Sequence, residues 1–139
     1  MKKFFYLMSL CLCMFMGVAV LTSCGDDDDD LDLKTGIVEK GNTMTLTISN
    51  SYYTETMTAT FNEQDECIKF ITKEIYKSKD VADAAWSAYK SEYDEEEIAK
   101  YFKKDGKTIT IDETEEYKFE TRATIKQYFE AIQQEFDKM

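Results

Sequence analysis

No histidine occurs anywhere in the chain. Histidine-based triads, histidine–zinc sites and an imidazole general base are thereby excluded. Proline is also absent, so nothing in the sequence forces a break in a regular element. Beyond residue 30 the only glycines are Gly36, Gly41 and Gly106, too few and too scattered for a phosphate-cradling loop. There is no Gly-x-Ser-x-Gly elbow and no internal repeat. Carboxylate pairs of the kind glycosidases use are abundant, but 23 acids outside a single aspartate run make accidental pairs inevitable. No catalytic residue, cofactor site or metal site emerges, and the expectation is a protein that is not an enzyme.

The first thirty residues carry the clearest signal. Lys2 and Lys3 precede an uncharged apolar run of eighteen residues, Phe4 to Leu21. That length reaches the threshold for a membrane span. A basic start, an apolar stretch and small residues before a cut site describe instead a secretory signal peptide. An uncleaved N-terminal anchor is the other reading. Leu21-Thr22-Ser23-Cys24 then brings a cysteine beside a polar tract, which neither Cys11 nor Cys13 has.

This tetrapeptide resembles the lipobox of bacterial lipoproteins. The resemblance implies removal of residues 1–23 and attachment of lipid to the Cys24 thiol, a group suited to the task because its thiolate is a good nucleophile. More than one acyl chain, as in such lipoproteins, anchors a protein stably. Gly25 and the run Asp26, Asp27, Asp28, Asp29 and Asp30 follow directly. Five adjacent carboxylates repel one another and form a solvated tether. The Cys-Gly-Asp-Asp-Asp-Asp-Asp start also resembles lipoproteins of the Bacteroidetes, in which an acidic run acts as an export signal to the outer face of the outer membrane. A plain spacer and an export signal both remain open. A calcium loop does not fit, because it spaces its oxygens around a turn with an internal glycine.

Without residues 1–23 the chain holds 15 basic and 28 acidic residues, a net charge of −13; without the aspartate run the remainder carries −8. Nucleic acid is disfavoured as a partner, as is direct attraction to anionic lipid. The 109 residues from Leu31 to Met139 suffice for one domain with one core. Cys67 is left without a disulfide partner if Cys24 is acylated, and reads as a small buried apolar residue.

Residues 24–42 read as the lipidated cysteine plus a flexible acidic tether, and 43–139 as a single α+β domain. Met44, Leu46 and Ile48 alternate with threonines, and Met57, Ala59 and Phe61 alternate with Thr54, Thr56, Thr58 and Thr60. Period two with threonine on one side describes strands of a one-sided antiparallel sheet. Residues 67–76 form a third strand with poorer alternation, since Ile68, Ile71 and Ile75 would also suit a helix. Ser78 or Asp80 caps a helix whose apolar side holds Ala82, Ala85, Trp86, Tyr89 and Tyr93. Residues 94–104 have helical propensity, yet Asp105-Gly106 signals a hairpin of Ile98–Lys103 against Lys107–Asp112. An acidic loop, 113–120, leads to a helix capped by Thr121 with an apolar stripe at Ile125, Tyr128, Phe129, Ile132 and Phe136. The expected order is β-β-β-α-β-β-α, an antiparallel sheet of about five strands with two helices on one face. This pattern is similar to small α+β domains of Bacteroidetes lipoproteins.

The functional expectation is a lipid-anchored, surface-exposed outer-membrane protein acting as a small binding module. Tyr52, Tyr53, Thr54, Thr56, Thr58 and Thr60 are the candidate contacts for a glycan or a protein. An accessory or structural subunit of an envelope complex is the alternative.

Overall fold

The computed structural model describes residues 34–137. The class is α+β, as expected: one antiparallel sheet of six strands, with helices laid on one face. The strands are β1 (Lys34–Lys40), β2 (Thr43–Ser49), β3 (Tyr53–Phe61), β4 (Cys67–Tyr76), β5 (Phe102–Asp105) and β6 (Thr108–Asp112). They lie in the order β1-β2-β3-β4-β6-β5. The helices are α1 (Lys79–Glu92), α2 (Glu95–Tyr101), α3 (Thr114–Tyr117) and α4 (Arg122–Asp137).

The period-two segments become β2 and β3, and their inward residues Met44, Leu46, Ile48, Met57, Ala59 and Phe61 are buried. Ser78 caps α1, its hydroxyl accepting from the Val81 N–H at 3.3 Å. Thr121 does the same for α4 through the Thr124 N–H at 3.2 Å. Ala82, Ala85, Tyr89, Ile125, Phe129 and Phe136 point from these helices into the core, and Trp86, Tyr128 and Ile132 pack half-buried at its margin.

Four segments differ from expectation. Residues 34–40, expected within the tether, form the edge strand β1. Only Ile37 and Val38 are apolar there, and being adjacent they point to opposite faces, so no alternation marks the strand. Pairing stems from the two-residue turn Gly41-Asn42, with Gly41 at φ +60, which sets Lys40 opposite Thr43. Charged residues on an edge strand also discourage further pairing. Glu95–Tyr101 is helical, so Ile98 to Tyr101 of the expected hairpin strand are not extended. Asp94 and Glu97 form a reciprocal capping box, and the strand starts only at Phe102. The hairpin turn is Gly106-Lys107, one residue later than expected, because Gly106 at φ +60 takes its first central position. Finally, the 113–120 loop contains the short helix α3, pinned by Tyr117, whose ring stacks on Phe70 with centroids 4.1 Å apart.

The chain's one arginine ties the N-terminal edge to the last helix. Arg122 of α4 reaches Glu39 of β1 at 3.7 Å and Asp65 of the β3–β4 loop at 3.0 Å, and covers the Phe61 ring at 4.7 Å.

Candidate functional site

The sheet has one covered face and one open face. On the open face the register aligns Thr43 with Thr60, Thr45 with Thr58, Thr47 with Thr56 and Ser49 with Thr54. Thr108 and Thr110 of β6 continue the hydroxyl array on the far side of β4. Ser49 Oγ and Thr54 Oγ1 lie 2.9 Å apart, and Thr45 Oγ1 and Thr58 Oγ1 3.4 Å. All eight of these β2 and β3 hydroxyl residues are half-buried, as flat, close-spaced side chains on an uncovered sheet should be. Thr54, Thr56, Thr58 and Thr60 are thus gathered into one surface.

The two tyrosines do not join them. Tyr53 belongs to the other side of β3, 5% exposed and stacked on Tyr76 at 5.6 Å between centroids. Its place follows from parity, since it lies an even number of residues from Met57 and Phe61. Tyr52 is half-buried at the β2–β3 turn, packed against the core, with its N–H held by Asn50 Oδ1 at 2.7 Å. Among the described residues no aromatic side chain lies on the open face. Cys24 and Asp26 to Asp30 fall outside the described residues.

Two groups of residues escape a reading from the sequence. The first is Lys69, Lys73 and Lys77, all exposed and all on the open side of β4 or just past its end. The second lies on the covered face. Glu55, Glu74 and Glu113 are 1%, 2% and 2% exposed, grouped around the fully buried Thr72. Glu55 and Glu74 are direct cross-strand neighbours. Glu74 accepts hydrogen bonds from the Tyr76 and Tyr89 hydroxyls, each at 2.5 Å, and Glu113 accepts one from the Thr72 hydroxyl at 2.5 Å. Glu55 Oε1 has no partner among the described residues.

Burial penalises the charged form, and neighbouring carboxylates add to the penalty. Burial lifts Glu74 to about 7 against the pull of its two tyrosine hydrogen bonds. It lifts Glu113 to about 8. Glu55 is pushed well above the carboxylate range, first by burial and then by the charges of Glu74 and Glu113. These groups are closed to solvent, so they bear on stability rather than on a ligand. Cys67 is fully buried with its thiol pushed up, the opposite of a reactive cysteine.

Among the described residues no group of three or more Cys, Asp or Glu is placed to hold a metal ion, and no helix is long and apolar enough to cross a membrane. Comparison with protein-family models, with curated proteins and with solved structures finds no match.

Proposed function

We propose that this chain is a lipid-anchored outer-membrane lipoprotein, displayed on the cell surface, whose domain is a non-enzymatic binding module. Its contact surface is the open face of the sheet. One observation supports this above the others: β2 and β3 hold eight hydroxyls in register on the open face and β6 adds two more beyond β4, while α1 and α4 send their apolar residues into the core on the other side. Hydroxyls fixed on a rigid sheet can donate and accept without further ordering, which lowers the entropic cost of contacting a polar partner. The anchor rests on the Leu21-Thr22-Ser23-Cys24 segment, and display on Asp26 to Asp30.

The test joins both halves. Fatty-acid labelling should be lost in Cys24→Ala. The purified protein should retain a soluble glycan or protein, and Thr56→Glu, which plants a longer, negatively charged side chain in the array, should abolish that retention without lowering the melting temperature. Labelling that persists without Cys24 refutes the anchor. Retention untouched by Thr56→Glu refutes the face. A protein that retains nothing alone but co-purifies with an outer-membrane protein is an accessory subunit instead.

A further inference from the structure

The open face is not electrically uniform with the rest of the domain. Helices α1, α2 and α3 open with Asp80, with Glu95, Glu96 and Glu97, and with Glu115 and Glu116. The open face instead carries a cationic line along its central strand. In Lys69-Phe70-Ile71-Thr72-Lys73-Glu74-Ile75-Tyr76-Lys77 the residues facing outward are Lys, Ile, Lys, Ile, Lys. Lys77 lies one residue beyond β4, but its N–H still donates to the Tyr52 carbonyl oxygen at 2.7 Å, so the extended course continues to it. At about 3.3 Å per residue the ammonium-bearing positions recur every ~13 Å.

None of these three lysines forms an ion pair among the described residues. Lys40 and Lys103 add further positive charge at the flanks. Asp105 and Asp112 are the acids on this face, and Asp112 already accepts the Thr114 N–H at 3.0 Å. Hydroxyl columns border the line on both sides, from β3 and from β6.

We infer that β4 is the track for a linear anionic polysaccharide in which acidic sugars alternate with neutral ones. This deepens the proposal that the open face is a contact surface, and rests on it. Charge complementarity selects an anion. Spacing selects its density: one cation per ~13 Å suits a sparsely charged polymer, whereas duplex DNA presents a charge every ~1.7 Å, which a domain this acidic would repel. The lack of an aromatic platform on the face counts against single-stranded nucleic acid, which such proteins hold by base stacking. The same lack disfavours a neutral glycan held by its apolar sugar faces. The threonine columns are suited to the sugar hydroxyls between the charges.

The experiment measures binding of the detergent-solubilised full-length protein to immobilised hyaluronan, which carries one carboxylate per disaccharide. Neutral dextran and oligothymidylate serve as comparisons. Lys69→Gln/Lys73→Gln/Lys77→Gln is set against Lys79→Gln/Lys90→Gln/Lys118→Gln, an equal charge change on exposed lysines off the face. All six lysines are exposed, and equal melting temperatures establish that both variants fold. The expected result is binding to hyaluronan alone, weakened by salt, weakened about tenfold or more by the β4 variant and unchanged by the other. No binding to hyaluronan, equal binding to oligothymidylate, or equal losses in both variants overturns the inference. Retention of dextran abolished by Thr56→Glu would overturn the anionic class while leaving the face as the contact surface. Retention of no glycan or protein overturns both.

Discussion

The two faces of this sheet are built from the same strands by opposite rules, and β4 shows it best. On β2 and β3 the rule is ordinary: Leu46, Ile48, Met57 and Ala59 turn inward, and threonines turn outward. On β4 the polarity is reversed at mid-strand. Thr72 and Glu74 are buried at 0% and 2% exposure, while Ile75 is 44% exposed beside half-buried Ile71. A fold chosen for stability alone would exchange these residues, since a buried carboxyl costs far more than an exposed isoleucine. Local rules are broken where something other than stability is selected. On the covered side the departure produces a buried carboxyl cluster in which burial disfavours the charged form. On the open side it leaves a line of cations and branched apolar groups facing solvent.

Changes that separate the two faces should have very unequal effects. The largest belongs to the covered face: Phe129→Ala, at a fully buried position edge-on to Phe70, should cost about 3–5 kcal/mol in urea melts. That is a large part of the ~5–15 kcal/mol a domain of this kind possesses. A loss below about 1 kcal/mol would mean that α4 does not seal the core.

The carboxyl cluster comes next. A group whose pKa is raised by folding stabilises the folded state fully below its unfolded value and loses that contribution as pH rises through its folded value. Glu74 and Glu113, lifted from 4.5 to about 7 and about 8, set the window between pH 4.5 and 8. Glu74 alone contributes on the order of 3 kcal/mol across it, at about 1.4 kcal/mol per unit. Stability should therefore fall from pH 5 to pH 8.5, and Glu113→Gln should flatten part of that slope. Asp83 and Glu115, held low by hydrogen bonds with Lys104 and Tyr101, act in the opposite sense but only at lower pH. A protein equally stable at pH 5 and 8.5 would show that the cluster is hydrated or open.

Gly106→Val sits between the faces, in the turn that brings Thr108 and Thr110 to the open side. A Cβ there meets nothing within 4 Å, so the cost is the positive φ alone, about 1–2 kcal/mol. A melt unchanged by this variant would mean that the hairpin adjusts its turn. The smallest effect is expected for Thr56→Ala and Thr58→Ala, under about 0.5 kcal/mol each, because the open face contributes little to the core. A larger loss would make the array structural.

How much of this could be read in advance follows from where the rules held. The threonine columns were legible because β2 and β3 keep period two without interruption, and the helix stripes because Ile125, Phe129 and Phe136 recur at helical spacing. The reversal in β4 blurred that strand, for Ile71 and Ile75 lie four apart with charged and polar residues between, a helical cue. The same reversal hid Lys69, Lys73 and Lys77, whose alignment exists only once the strand's facing is fixed. Glu55 and Glu74 lie on separate strands, 58 and 39 residues from Glu113, so only the fold unites them. Tyr53 was misplaced because aromatics next to a turn carry no facing of their own; counting from Phe61 puts it inside.

The claim that one face holds the fold and the other holds the partner can be tested by methyl-resolved NMR during a hyaluronan titration. Ile71 and Ile75 report from the open face, together with Thr54, Thr56, Thr58 and Thr60. Ile48, Ile109 and Ile111 report from the covered face. Shifts confined to the first set, and lost in the β4 lysine variant, are the predicted result. Shifts in Ile48, Ile109 and Ile111, or none in Ile71 and Ile75, would contradict it.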